Sequence, residues 1–329
     1  MLLGRYITKY TADSVEQRPG RDGREFAVAT YQLESDMRPG DVTLMGWGSG
    51  GDLMESDGLR EVSKWETGGV LDLLWTPDGA TLLAAKASGE VHMITDNTDH
   101  TIDVSPGSIL LAVESDGITT AVSDNKGSAF LLDPSFSSVS ATFPGLHGSR
   151  GWGWEVWGIG VSGDSLYSGG DDCVFKATDT RSGVTIFSNH KEHTMGVCCI
   201  SPEQEHHVLT GCYDEMVRRW DTRNPRTPLQ ASSVGGGVWR LKQSRDHILV
   251  AGMHSGFHVL HRDTLDIVIS YTDHGSLAYG ASWLGDTGLA ATCSFYDNLV
   301  TVWDAFSEGK DGPAQPVVQP VATETVEGS

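Results

Sequence analysis

The sequence predicts an all-β, seven-bladed propeller, and three observations carry that expectation. First, one cadence returns along the chain: an apolar strand, a tight turn bearing Gly, Asp or Ser, then an alternating strand ending in Trp-Asp or a worn form of it. It reads LTGCYDEMVRRWDTRN over 209–224, YSGGDDCVFKATDTR over 167–181, VAGMHSGFHVLHRD over 250–263 and ATCSFYDNLVTVWD over 291–304, with weaker copies over 84–96 and 121–133. Second, the matching turn residues Ser88, Lys126, Asp172, Asp214, Ser255 and Asp297 lie 38, 46, 42, 41 and 42 residues apart, the period of four strands per blade in a WD-repeat ring. Third, 40 glycines, 10 tryptophans and 39% hydrophobic residues suit many short strands joined by turns. A length of 329 alone suggests two domains, but a closed ring of seven blades is a single domain of this size.

Taken in order, residues 1–24 are polar and without periodicity, and read as a flexible lead-in. The propeller is expected over 25–305, with REFAVATYQL (24–33) as a strand that pairs with the last blade, because an open edge on each terminal blade is costly. Blade one is placed at 42–65 with GWGSGGD (46–52) as a turn, and blade two at VLDLLW (70–75), followed by the Pro-Asp-Gly turn TPDG (76–79). Blade three opens at ILLAVESDG (109–117) and is followed by the long Gly and Trp loop ATFPGLHGSRGWGW (141–154). Blades four to seven open at WEVWGIGV (154–161), MGVCCISP (195–202), GVWRLKQ (237–243) and LAYGASWL (277–284). The Pro, Glu, Thr and Gly rich segment 306–329 reads as a disordered tail.

Composition excludes several classes. No run approaches the roughly 18 apolar residues of a membrane span, and no basic segment with a long apolar core opens the chain, so a cytosolic protein is expected. Five cysteines, an odd number with no CxxC pair and no Asn-x-Ser/Thr site, fit reduced thiols. A net charge of −21 argues against nucleic acid and favours a cationic ligand or partner.

The strings YSGGDD, KEHTMGVCCIS, TGCYDE, RRWDTRN, GGGVWR, MHSGF, SLAYGASW and ATCSFYD, in that order over roughly 150–304, resemble the WD-repeat diphthine methyl esterases of diphthamide biosynthesis. The resemblance implies hydrolysis of the methyl ester of diphthine, a modified histidine of translation elongation factor 2, with that factor as protein partner. The N-terminal half matches only in repeat architecture.

Ester hydrolysis needs a nucleophile, a base and donors for the developing oxyanion. No GxSxG elbow, HExxH or zinc-spaced Cys/His cluster occurs, so neither metal nor cofactor is expected. His254 and Ser255, adjacent in the MHSG turn, are candidate base and nucleophile, although Ser255 also fills the slot of Asp214 and Asp297, where it would merely bond the turn. Cys293 and Ser294 are a second candidate pair, against a core role for Cys293. Gly236 and Gly237, in a run begun by Gly235, either cradle an oxyanion or let backbone crowd the axis. Arg240 pairs either with the substrate carboxylate or with a neighbouring Asp.

Diphthine carries a methylated ammonium, which aromatic faces with carboxylates nearby hold best. Glu155, Trp157, Tyr213, Glu215, Trp239, Tyr279 and Tyr296, at strand starts and rim turns, supply those groups, as does Trp154; the alternative is packing between blades. His193, Thr210, Asp214 and Trp220 have the spacing of the network that ties a WD blade together, which discounts His193 as a base. Trp220-Asp221-Thr222-Arg223 resembles strings in substrate receptors of cullin ubiquitin ligases, so an adaptor, or a plain scaffold, is the rival to an enzyme. A monomer is expected.

Overall fold

The computed structural model describes residues 1–35, 37–48, 58–149, 152–204 and 206–307. Seven four-stranded antiparallel sheets form the blades of a propeller, and a two-stranded ribbon joins Gly148–Ser149 to Trp152–Gly153. No helix occurs among the described residues, and so none long and apolar enough to cross a membrane. The innermost strands are Ala12–Gln17, Val70–Trp75, Leu110–Ser115, Gly158–Ser162, Val197–Pro202, Arg240–Gln243 and Ala278–Trp283.

The N-terminal segment corrects the expectation of a flexible lead-in. Leu2–Ile7 pairs antiparallel with Leu299–Asp304 and becomes the outer strand of blade seven. Ala12–Gln17 is then the innermost strand of blade one, and Glu25–Thr30, expected to close the ring, is its second strand. Leu2–Ile7, LLGRYI, shows no strict alternation and lies on an outer edge, and the largely polar Ala12–Gln17, ADSVEQ, lines a charged axis. The loop expected at 46–52 lies partly outside the described residues, as do two residues of the 141–154 loop and the tail beyond Ser307.

The cores lie between blades. Phe175, Trp220, Val197 and Ile200 pack together across blades four and five, and Trp303, Tyr271, Phe257 and Ala278 across blades six and seven. Each large indole also closes a polar network. Trp220 Nε1 donates to Thr210 Oγ1 at 2.9 Å, and His193 Nε2 meets the same oxygen at 3.0 Å. Asp214 completes the blade, accepting from Thr194 N at 3.1 Å and gripping Arg218 through both oxygens at 2.9 and 2.8 Å. Blade seven repeats the scheme, with Trp303 on Thr292 at 3.1 Å and His274 bridging Ser294 and Thr292.

Close approach at the axis demands small residues. A Cβ on Gly280 would stand 2.6 Å from Cys293 Sγ and 2.8 Å from the backbone N of Val15, in the neighbouring blade.

Deleting residues 1–7 is expected to bare the Leu299–Asp304 edge, lower the melting temperature and promote association, read by thermal melts and size-exclusion chromatography. Trp220→Ala should cost about 3–5 kcal/mol in urea unfolding, the range for emptying a large aromatic site.

Candidate functional site: an aromatic cup over a charged floor

Each inner strand begins with an extra residue at the same register. Asp13, Leu71, Leu111, Cys198 and Tyr279 fall at breaks in the pairing of the first two strands of their blades. Trp157 and Trp239 hold the equivalent places, one residue before the paired Gly158 and Arg240. Bulged residues are re-aimed out of the ladder, so these seven positions, one per blade, ring the upper mouth of the axis.

On one side the ring is aromatic. Trp239 stacks on Tyr279 at 4.7 Å and 22° between planes, and Trp157 meets Trp239 at 5.1 Å. Tyr279 continues to Phe295 at 4.9 Å, which touches Tyr296 at 5.0 Å and Tyr31 at 5.4 Å. Tyr213, 40% exposed, stands at the rim beside Gly237, whose Cβ would meet its ring at 3.2 Å. Partial burial raises the Asp171 carboxyl, the Glu155 charge raises it further, and the Trp157 indole opposes them, so two acids sit close to this side.

Below the cup the axis is closed by ion pairs from opposite blades. Arg240 of blade six reaches Asp72 of blade two at 2.9 Å and donates to Leu71 O at 3.1 Å. Lys242 meets Glu16 of blade one at 2.6 Å. Asp72 also accepts from Ser14 Oγ at 3.1 Å and Val113 N at 3.0 Å. Burial works against the Arg240 charge but is outweighed by Asp72, Asp13 and Glu114, which hold it above the ordinary arginine range. Burial likewise pushes the Glu114 carboxyl up to about 7 against the pull of Lys242.

This geometry sorts the expected site residues. Trp157, Trp239 and Tyr279 come together, with Tyr213 and Gly237 at the edge, Tyr296 joined through Phe295, and Glu155 beside Asp171. Glu215 is exposed in the same turn as Tyr213, at a φ of 70°. Arg240 belongs to the floor, paired with an Asp.

His254 and Ser255 are not brought together. Ser255 Oγ donates to Gly252 O at 2.9 Å and bonds His258 Nε2 at 2.8 Å, whose Nδ1 meets Ser270 at 2.9 Å, while His254 is exposed. Ser255 is thus tied into the blade, as Asp214 and Asp297 are in theirs. Gly236 serves close packing, since a Cβ there would lie 2.5 Å from Gly252 O. Cys293 is wholly buried, and burial raises its thiol far above the usual range, so a thiolate nucleophile is excluded there. No group of three metal-ligating side chains occurs among the described residues. Arg223, mostly exposed on the opposite face, binds Asp221 through two nitrogens at 2.9 and 2.7 Å.

Asp13, Tyr31 and Phe295 went unread in the sequence. The ring positions are 58, 40, 46, 41, 41 and 40 residues apart, and the long first step, across blade one, masks the repeat at Asp13.

No family model matches the chain. A curated relative from Mus musculus named diphthine methyltransferase is 33% identical, with the match covering 84% of this chain and 68% of the relative. A second, of the same name from Schizosaccharomyces pombe, is 30% identical over 84% of this chain and 90% of its own length. The chain belongs to the diphthine methyltransferase family. Family membership corrects the expectation of a carboxylic ester hydrolase: the relatives are named for methyl transfer, and the Ser255 hydroxyl expected to attack an ester is bonded into its own turn. Among solved structures, the WD40 propeller domain of Doa1 superposes with a TM-score of 0.74 at 12% identity, covering 94% of this chain and 97% of that one, which supports the fold alone.

Arg240→Met should destabilise the fold by about 3–5 kcal/mol in denaturant titrations, because Asp72 and Asp13 would be left buried without their cation. Burial lowers His193 to about 3, and His258 and His274 to about 4, from 6.5. The unfolded chain therefore binds more protons between pH 6.5 and 4, and these histidines make stability fall as pH drops through that window. Urea midpoints measured from pH 7 to 4 should decline less steeply for His258→Asn than for wild type.

Proposed function

We propose that this chain acts on diphthine, the modified histidine of translation elongation factor 2, in a methyl-related step of diphthamide synthesis, with the upper cup holding the substrate's methylated ammonium. The observation that carries this reading is the meeting of Trp157, Trp239 and Tyr279 at one mouth, on a chain whose relatives are named for diphthine. A quaternary ammonium donates no hydrogen bond, so its recognition rests on ring faces and on net negative charge nearby. Both are at hand. Within and below the mouth, Asp13, Glu16, Asp72 and Glu114 outnumber Arg240 and Lys242 four to two.

A protein substrate also suits a cup with exposed rim residues: the modified side chain can enter end-on while the factor rests on Tyr213 and Tyr296. The charged floor stops the guest from threading the axis. Arg240, committed to Asp72, acts by holding that floor.

The test is to incubate the purified chain with elongation factor 2 bearing diphthine, with and without a small-molecule methyl donor, and to follow the methyl content of that residue by mass spectrometry. Methyl content should change in the presence of the chain, and Trp239→Ala should slow the change at least tenfold with the fold intact. Unaltered methyl content under all conditions would overturn the reading.

A further inference from the structure

Asp13 is the one acid of the seven-membered ring at the mouth, and its surroundings are unusual. Its side chain is buried, and Oδ1 makes no hydrogen bond of good geometry, although the Trp239 indole N–H lies close enough to act on it. Two donors near it are also unpartnered, Trp239 Nε1 and Arg240 Nε. The guanidinium lends Asp13 its charge but gives its nearest contacts to Asp72 and Leu71. A buried acceptor left without a donor is costly. It persists where something else completes it.

The groups facing Asp13 can be named from each element around it. Its own strand contributes Ser14, bound to Asp72, and Glu16, bound to Lys242. Blade two adds Asp72, blade three Glu114, and blade six Trp239 and Arg240. Blade seven adds Tyr279 and the buried Cys293, and Tyr31 lies toward the rim; burial and then the Asp13 charge raise all three. Burial, acting before the opposed effects of Arg240 and Asp72, pushes the Asp13 carboxyl up to about 7, with the Trp239 indole N–H also working against the rise.

Resting on the cation-cup reading above, we propose that Asp13 is the counter-ion of the cup: its carboxylate meets a quaternary ammonium guest held by Trp239 and Tyr279, and the guest's arrival displaces a proton from Asp13 to solvent. The balance is simple. Protonated, Asp13 is a neutral acid in an apolar site; when a cation docks above it, the O–H bond breaks, the electron pair stays on the carboxylate, and the proton leaves to buffer. The guest thus selects the ionised form, and its apparent affinity scales with the fraction already ionised. The bulge at position 13 makes this possible, since it turns the side chain out of the ladder toward the mouth.

Titration calorimetry with choline and with its uncharged isostere 3,3-dimethylbutan-1-ol tests the assignment on the full chain. Wild type should prefer choline, with affinity rising about tenfold from pH 6 to pH 8. Runs at pH 7 in two buffers of different ionisation enthalpy should register about half a proton released per choline bound. Asp13→Asn should prefer choline only by the smaller margin that the rings give, lose the tenfold pH dependence and release no proton. Its melting temperature relative to wild type should climb as pH rises, because the buried charge it lacks is the one that forms. Wild-type protein that binds choline without releasing a proton overturns the counter-ion whatever the variant does, and so does Asp13→Asn that keeps the choline preference undiminished; both leave the aromatic cup standing. Choline bound by wild type at no pH overturns the cup and the counter-ion together.

Discussion

Arg240 and Asp72 meet across the axis of the ring, and the site depends on that contact. It joins blade six to blade two at 2.9 Å and, with Lys242 on Glu16 at 2.6 Å, closes the axis beneath the mouth. Buried ions are tolerated only when paired and hydrogen-bonded, and Asp72 meets that condition by accepting from Ser14 and Val113 as well. The result is a cup with a polar, rigid floor. Above the floor, the ring of inner-strand starts is aromatic on one side and apolar on the other, with Asp13 as its one acid.

The propeller supplies this arrangement cheaply. Because seven inner strands converge on one axis, residues at a single register face a common opening however far apart they stand in the chain. The bulge at that register turns each side chain toward the opening, and the fold then needs only suitable residues there. Leu71, Leu111 and Cys198 make one side apolar, and Trp157, Trp239 and Tyr279 make the other aromatic. Between them stands Asp13.

The same logic explains why the side chains of His254 and Ser255 are not brought together. Polar residues at and beside the turns between second and third strands bond within their own blade, two of the serines to a histidine. Ser255 does this with His258, as Ser294 does with His274. The mouth is therefore shaped by the inner-strand starts, while Ser255 and Ser294 tie their own blades together. Arg223 on the opposite face follows the local pattern of its own turn, gripping Asp221.

Much of the fold was legible in one dimension, because the blade period, the turn residues and the Trp-Asp endings are local signals written by strand alternation and turn chemistry. Trp157, Trp239 and Tyr279 were legible too, since they open strands whose start the repeat marks. The tertiary structure alone decided that residues 2–7 close the ring, that Asp13 joins the cup, and that Lys242 finds Glu16 across a separation of 226 residues. Those facts depend on ring closure, which brings the first inner strand beside the last. Pairing across an axis leaves no periodic trace in either partner, and a strand that faces charge on one side and an edge on the other looks, in sequence, like a loop.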